Sequence, residues 1–178
     1  MTSLDEAARA RTWTRLVQAA FLRGDFVLSS GRRSSFYIDK YLFETDPQLL
    51  REIARLLAAM LPAGATRLIG PALGGVPLAT AVALETGLPF AIVRPGAKEY
   101  GTAKLIEGRV EAGDRAVVLE DVVTTGAQSV RAAQTVQQAG ATVLAILAVI
   151  DRHEGGRAGV EGAGFQFHVL YDMAEWRP

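Results

Sequence analysis

From Arg67 onward, short apolar runs alternate with helix-like segments, and that rhythm leaves few folds open. The runs at 67–69, 90–93, 116–119 and 142–150 have strand length and are rich in Val, Ile, Leu and Ala. Helical stretches from Val76 to about Thr86 and from about Ala127 to Ala139 separate them. Strands covered on both faces read as unbroken apolar runs, whereas strands wet on one face alternate. The pattern therefore predicts an α/β chain with a central, mostly parallel sheet flanked by helices. Phe165, Phe167, Val169 and Tyr171 alternate with Gln166 and His168, the mark of a peripheral strand. At 178 residues the chain fits one domain able to bury its own core.

The part before Arg67 is different. Trp13, Leu16, Val17, Ala20 and Phe21 form one helical stripe, which Gly24 is expected to end. A second helix is predicted from Pro47 to about Leu61, with Asp46 as its N-cap and Leu49, Ile53, Leu56, Leu57 and Met60 as its apolar face. Between the two helices, 26–28 and 36–39 read as short strands joined by a Ser/Gly/Arg-rich turn.

In sheets of this kind ligands bind beyond the carboxyl ends of the strands. The residues after Ile69, Val93, Leu119 and Ile150 are therefore the ones to inspect. After Leu119 come Glu120 and Asp121, then Val122, Val123, Thr124, Thr125, Gly126, Ala127, Gln128 and Ser129. Adjacent carboxylates at a strand end call for water, cations or donors. A hydroxyl-rich turn with glycine at a helix start offers free N–H groups to an anion. Together they point to a sugar phosphate accompanied by Mg²⁺, a hard cation that prefers oxygen and keeps water.

The other strand ends fit the same theme. Gly70-Pro71-Ala72-Leu73-Gly74-Gly75 is a glycine-rich turn opening a helix, suited to a pyrophosphate or simply to a tight turn. The segment 94–104 carries Arg94, Lys98, Tyr100 and Lys104 with two glycines, as a basic lid or a solvated hairpin would. Arg152, within Asp151-Arg152-His153-Glu154-Gly155-Gly156, could grip a planar carboxylate in bidentate fashion or pair with Asp151 or Glu154. His153 and His168 have no evident role.

Composition removes several alternatives. There is no cysteine, so disulfides, thiolate metal sites and a cysteine nucleophile are excluded. Nineteen basic and nineteen acidic residues cancel, which argues against nucleic acid as a partner. The apolar stretch 141–150 is shorter than the roughly 20 residues of a membrane span. The first residues, with Asp5 and Glu6, do not read as a signal peptide. A soluble, cytoplasmic protein is expected.

The run from Val117 to Gly126 resembles the 5-phosphoribosyl 1-diphosphate (PRPP) motif of type I phosphoribosyltransferases. The resemblance implies that Glu120 and Asp121 meet the ribose hydroxyls or a hydrated Mg²⁺. It further implies that the stretch from Thr124 to Ser129 cradles the 5′-phosphate and that Leu73 and Gly74 face the pyrophosphate. The lid is similar to that of orotate phosphoribosyltransferases, matched at Arg94, Lys98, Tyr100 and Gly101, with Pro95 in place of a second basic residue. In that family the lid reaches across a homodimer and the lysine matching Lys98 is central to catalysis. Ser30-Gly31-Arg32-Arg33-Ser34-Ser35-Phe36-Tyr37-Ile38-Asp39 resembles the family's hood over the base, and Asp-Arg-x-Glu-Gly-Gly its carboxylate-binding segment.

Lys98 and Asp121 are accordingly the expected catalytic residues. Thr124, Arg152, Phe36, Tyr37 and Lys40 are expected at the orotate. The hood spans about 24–45 with 151–178, and the core about 46–150. A purine phosphoribosyltransferase and a PRPP-sensing RNA-binding regulator are the rival readings.

Overall fold

The computed structural model describes residues 5–27, 31, 33–96 and 104–174. Among these, a six-stranded sheet carries the structure: β3 (Arg67–Pro71), β4 (Phe90–Val93), β5 (Ile106–Glu107), β6 (Arg115–Val123), β7 (Thr142–Asp151) and β8 (Phe167–Asp172). The strand order is β5-β4-β3-β6-β7-β8, and only the β4–β5 pairing is antiparallel. A separate hairpin pairs β1 (Phe21–Val27) with β2 (Arg33–Ile38).

The helices are α1 (Glu6–Ala20), α2 (Lys40–Glu44), α3 (Pro47–Met60), α4 (Gly75–Thr86), α5 (Ala127–Gln138) and α6 (Gly156–Gly162). Alternation along the strands divides the core in two. Leu68, Val117, Leu119 and Leu147 point into one layer with Leu16, Ile53, Leu57 and Leu78 of α1, α3 and α4. Ile69, Ala116, Val118 and Ile146 point into the other, with Ala132, Ala133 and Val136 of α5 and Val160 of α6. Each large aliphatic side chain buried this way stabilises the fold by about 1.5–3 kcal/mol.

Asp46 caps α3 as expected, its Oδ1 accepting from the N–H groups of Gln48 and Leu49 at 2.9 Å each. Other boundaries differ from expectation. The first helix ends at Ala20, and Gly24 lies inside β1, because the chain turns straight into the hairpin with Phe21 paired to Ile38. Strand β6 runs four residues past Leu119, since pairing with β7 continues through Val122–Ile150 and Val123–Asp151. Glu120 and Asp121 are thus strand residues. The short elements α2, β5 and α6 carry too few residues for a periodic signal.

From β3 the sheet grows outward through β4 on one side and through β6 on the other. The switch point lies between β3 and β6, where open α/β sheets place their ligands.

Candidate active site

Two loops leave the switch point side by side. The β3–α4 turn packs tightly on β6: a Cβ built on Gly75 would lie 2.5 Å from the Leu119 carbonyl oxygen and 2.6 Å from Pro71 Cδ. The β6–α5 turn ends at Gly126, whose φ of +78° is costly for other residues. A Cβ there would also press on Val160 Cγ2 at 2.7 Å. Gln128 ties the two loops, donating from Nε2 to the Ala72 carbonyl at 3.3 Å.

No side chain caps the start of α5. Its first N–H groups, from Ala127 onward, have no side-chain acceptor, and a helix start of this kind can hold an anion with the dipole in support. A cleft lined by Lys40, Glu120, Asp121, Val122, Val123, Thr124, Thr125, Gly126, Ala127, Gln128, Ser129 and Arg131 opens at this point. All ten residues expected from 120 to 129 line it.

The two carboxylates in the cleft differ. Glu120 is buried and accepts a hydrogen bond from Ser129 Oγ at 2.9 Å. Burial, then the charge of Asp121, pushes its pKa up to about 8. Asp121, 1% exposed, accepts at Oδ1 from the Val122 N–H, and Lys40 Nζ lies 2.7 Å from its Oδ2. Burial disfavours the charge of Lys40, but the neighbouring Asp121 outweighs it and holds the lysine above its ordinary pKa.

A second cavity, of about 390 Å³, adjoins the first and is lined by Val27, Tyr37, Ile38, Lys40, Tyr41, Val122, Thr124 and Arg152. That volume suits a small planar ligand. Lys40, Val122 and Thr124 belong to both cavities, so the two are adjacent compartments of one site. Arg152 is fixed at the end of β7: its N–H donates to the Val123 carbonyl at 2.9 Å, and its guanidinium pairs with Glu154 at 3.3 Å. His153, at φ +58°, sits 3.4 Å from Asp172.

Of the residues expected at the base, Thr124, Tyr37, Lys40 and Arg152 line this cavity. Phe36 does not. Alternation along β2 turns it to the opposite face, where it stacks on Phe21 with ring centres 6.2 Å apart and packs against the core. Arg94 stands one strand away, 3.5 Å from Glu107, lining a separate pocket with Ala72, Gln128 and Arg131. Leu73 and Gly74 occupy the turn opposite Asp121, with Leu73 exposed. Lys98, Tyr100 and Gly101, and the hood residue Ser30, lie outside the described residues.

Sequence reasoning missed Glu44 and Arg131. Glu44 lies on α2 beside Asp121, and a Cβ on Gly74 would overlap the Asp121 carboxylate and meet Glu44 Oε1 at 2.9 Å. The only available signal was its spacing of four residues from Lys40. Arg131 follows the β6–α5 turn by one helical turn and faces two cavities.

A parallel sheet with an acid pair on β6 and an uncapped helix start at its switch point defines a type I phosphoribosyltransferase. No protein-family model matches the chain. Known proteins do. The orotate phosphoribosyltransferase of Halobacterium salinarum is 54% identical over 152 residues, covering 85% of this chain and 86% of that one. The crystal structure of the Mycobacterium tuberculosis orotate phosphoribosyltransferase with Fe(III) dicitrate superposes with a TM-score of 0.85 at 29% identity, covering 94% of this chain and 97% of that one. The Aeropyrum pernix enzyme gives a TM-score of 0.79 at 34% identity, with 93% of each chain covered. The chain belongs to the orotate phosphoribosyltransferase family. Membership does not favour the purine-base or RNA-regulator alternatives.

Proposed function

We propose that this protein transfers the 5-phosphoribosyl group of PRPP to orotate, giving orotidine 5′-monophosphate and pyrophosphate in pyrimidine synthesis. The observation that carries this reading is the shared wall of the two cavities. Thr124, Val122 and Lys40 separate a phosphate-binding turn from a compartment that ends on Arg152. A ribose across that wall would have its 5′-phosphate at the start of α5 and its anomeric carbon toward the base.

In this reading the orotate ring nitrogen bonds to the anomeric carbon as the bond to the pyrophosphate oxygen breaks. Charge then grows on the departing pyrophosphate, and the ribose passes through a state with cationic character. The work of the protein is positioning and charge stabilisation. Asp121 and Glu120 serve the ribose, Arg152 holds the carboxylate of the base, and Tyr37 covers its ring. The amides from Thr124 to Ser129 hold the 5′-phosphate, and Leu73 and Gly74 meet the pyrophosphate through backbone groups. Lys98, Tyr100 and Arg94 supply cation and donors to the leaving group, with Lys98 the residue expected to matter most for turnover.

Mg²⁺ fits this site at one remove. Glu120 already has Ser129 and Asp121 has Lys40, so neither carboxylate is free for direct ligation. PRPP and water would hold the ion near both acids, and it would neutralise pyrophosphate charge. A homodimer sharing the lid, and a cytoplasmic setting, are part of the same proposal.

Turnover measured with orotate, adenine, hypoxanthine and xanthine, each with PRPP and Mg²⁺, tests it. Orotate alone should react. Purine turnover without orotate turnover would end the substrate assignment.

A further inference from the structure

The helix α2 brings a second acid to Asp121, one that no part of the reaction above uses. Lys40 and Glu44 are four residues apart, on one face of α2, and the intervening Phe43 is fully buried and anchors the helix. Glu44 is 3% exposed, both of its carboxyl oxygens are buried, and neither has a hydrogen-bond donor among the described residues. A lone ionised carboxylate in that position would be strongly disfavoured.

Its neighbour offers a resolution. Asp121 already has the Val122 N–H at one oxygen and the Lys40 ammonium at the other, whereas Glu44 has neither. Two buried carboxyl groups in contact hold one proton more readily than two charges. The proton therefore belongs to Glu44, and a protonated carboxyl becomes a donor. Burial first, then the hydrogen bond with Asp121, raises the Glu44 pKa to about 9. Gly74 roofs the pair, since any Cβ there would strike the Asp121 carboxylate and press on Glu44 Oε1.

We infer that Glu44 is a positioning residue: as a neutral acid it donates a hydrogen bond to Asp121 and, with Lys40, clamps the ribose-facing carboxylate between α2 and the β3–α4 turn. Glu44 lines neither cavity, so its influence runs through Asp121. The inference rests on the reading of Asp121 as a PRPP contact.

Glutamine keeps the size and a donor, and leucine keeps the size alone, so the two substitutions separate hydrogen bonding from packing. PRPP binding with Mg²⁺, followed by titration calorimetry without orotate, is the measurement. Glu44→Gln should bind PRPP within about threefold of the wild type. Glu44→Leu should bind about tenfold or more weakly, as expected for loss of a charge-assisted hydrogen bond. In turnover assays the loss should fall on the KM for PRPP, with the KM for orotate moving less than about threefold.

Thermal unfolding checks that each variant is folded, and Glu44→Ala replaces Glu44→Leu if the latter is not. Equal PRPP affinity for the leucine and glutamine variants, whether both weak or both native, overturns the inference. Failure of the wild type to bind PRPP overturns it as well. A wild type that binds PRPP but does not convert orotate refutes only the proposed base, and leaves the comparison decisive for Glu44.

Discussion

Lys40 Nζ lies 2.7 Å from Asp121 Oδ2, so the first residue of helix α2 is tied to strand β6 in the middle of the sheet. The lysine also borders both cavities, with Asp121 on one side and Tyr37, Thr124 and Arg152 on the other. One side chain therefore connects the acid expected at the ribose with the compartment expected to hold the base.

Lys40→Met should consequently affect stability and both substrates. It leaves Asp121 buried without its cation, which costs several kcal/mol where both partners are enclosed. Lys40 is about one-third exposed, so a smaller loss of about 1–3 kcal/mol is expected. Urea denaturation would measure it. In steady-state kinetics, KM should rise for both PRPP and orotate. A rise for one substrate alone would assign Lys40 to that compartment only.

Arg152→Ala should separate the substrates. The guanidinium stands in the second cavity with Glu154 as its neighbour at 3.3 Å, and a planar carboxylate entering there can take two parallel hydrogen bonds. Losing them should raise the KM for orotate roughly 10- to 100-fold, equivalent to about 1.5–3 kcal/mol. The KM for PRPP should change less than about threefold. Arg152→Lys should recover little, because an ammonium lacks the forked geometry. Equal weakening of both substrates would make Arg152 a structural residue that serves Glu154.

Gly126→Ala tests the proposed phosphate-binding role of the β6–α5 turn. The substitution imposes a side chain at φ +78° and pushes its Cβ to 2.7 Å from Val160 Cγ2. Strain of this kind costs about 1–3 kcal/mol. Relief would come by shifting α6 or the start of α5, and the latter would misplace the amides meant for phosphate. A lower unfolding midpoint together with weaker inorganic phosphate binding is expected. Unchanged phosphate affinity in a destabilised variant would remove the turn from the anion site.

These residues differ in how far the sequence revealed them. Glu120 to Gly126 was legible because strand, acids, hydroxyls and glycine follow one another within ten positions, so local chemistry implied local geometry. The extent of β6 was not, because acids are poor strand residues and only pairing with β7 carries the strand through them. Phe36 and Tyr37 were both assigned to the base, yet a strand sends adjacent side chains to opposite faces, and the core took Phe36. Glu44 was invisible for a different reason. A single glutamate in a five-residue helix carries no pattern, and its meaning comes from Asp121, 77 positions later, and from the bare face of Gly74.

The protonation of Glu44 makes a prediction about stability that does not depend on any substrate. Its ordinary pKa of 4.5 is pushed to about 9 in the folded protein by burial and then by Asp121. Between those values the folded chain keeps a proton that the unfolded chain has released. Stability must then fall as pH rises through that window, by up to about 1.4 kcal/mol per pH unit for one such group. Glu120, raised to about 8, acts in the same direction over a slightly narrower window. Glutamine at position 44 cannot ionise, so Glu44→Gln removes one of these two contributions. The stability difference, variant minus wild type, should therefore grow from about pH 5 to about pH 9 and level off above it. Urea unfolding at several pH values across that range measures the difference directly. A difference that stays constant would mean that Glu44 is already ionised in the folded protein at pH 5, and the hydrogen bond it is inferred to donate to Asp121 could not exist.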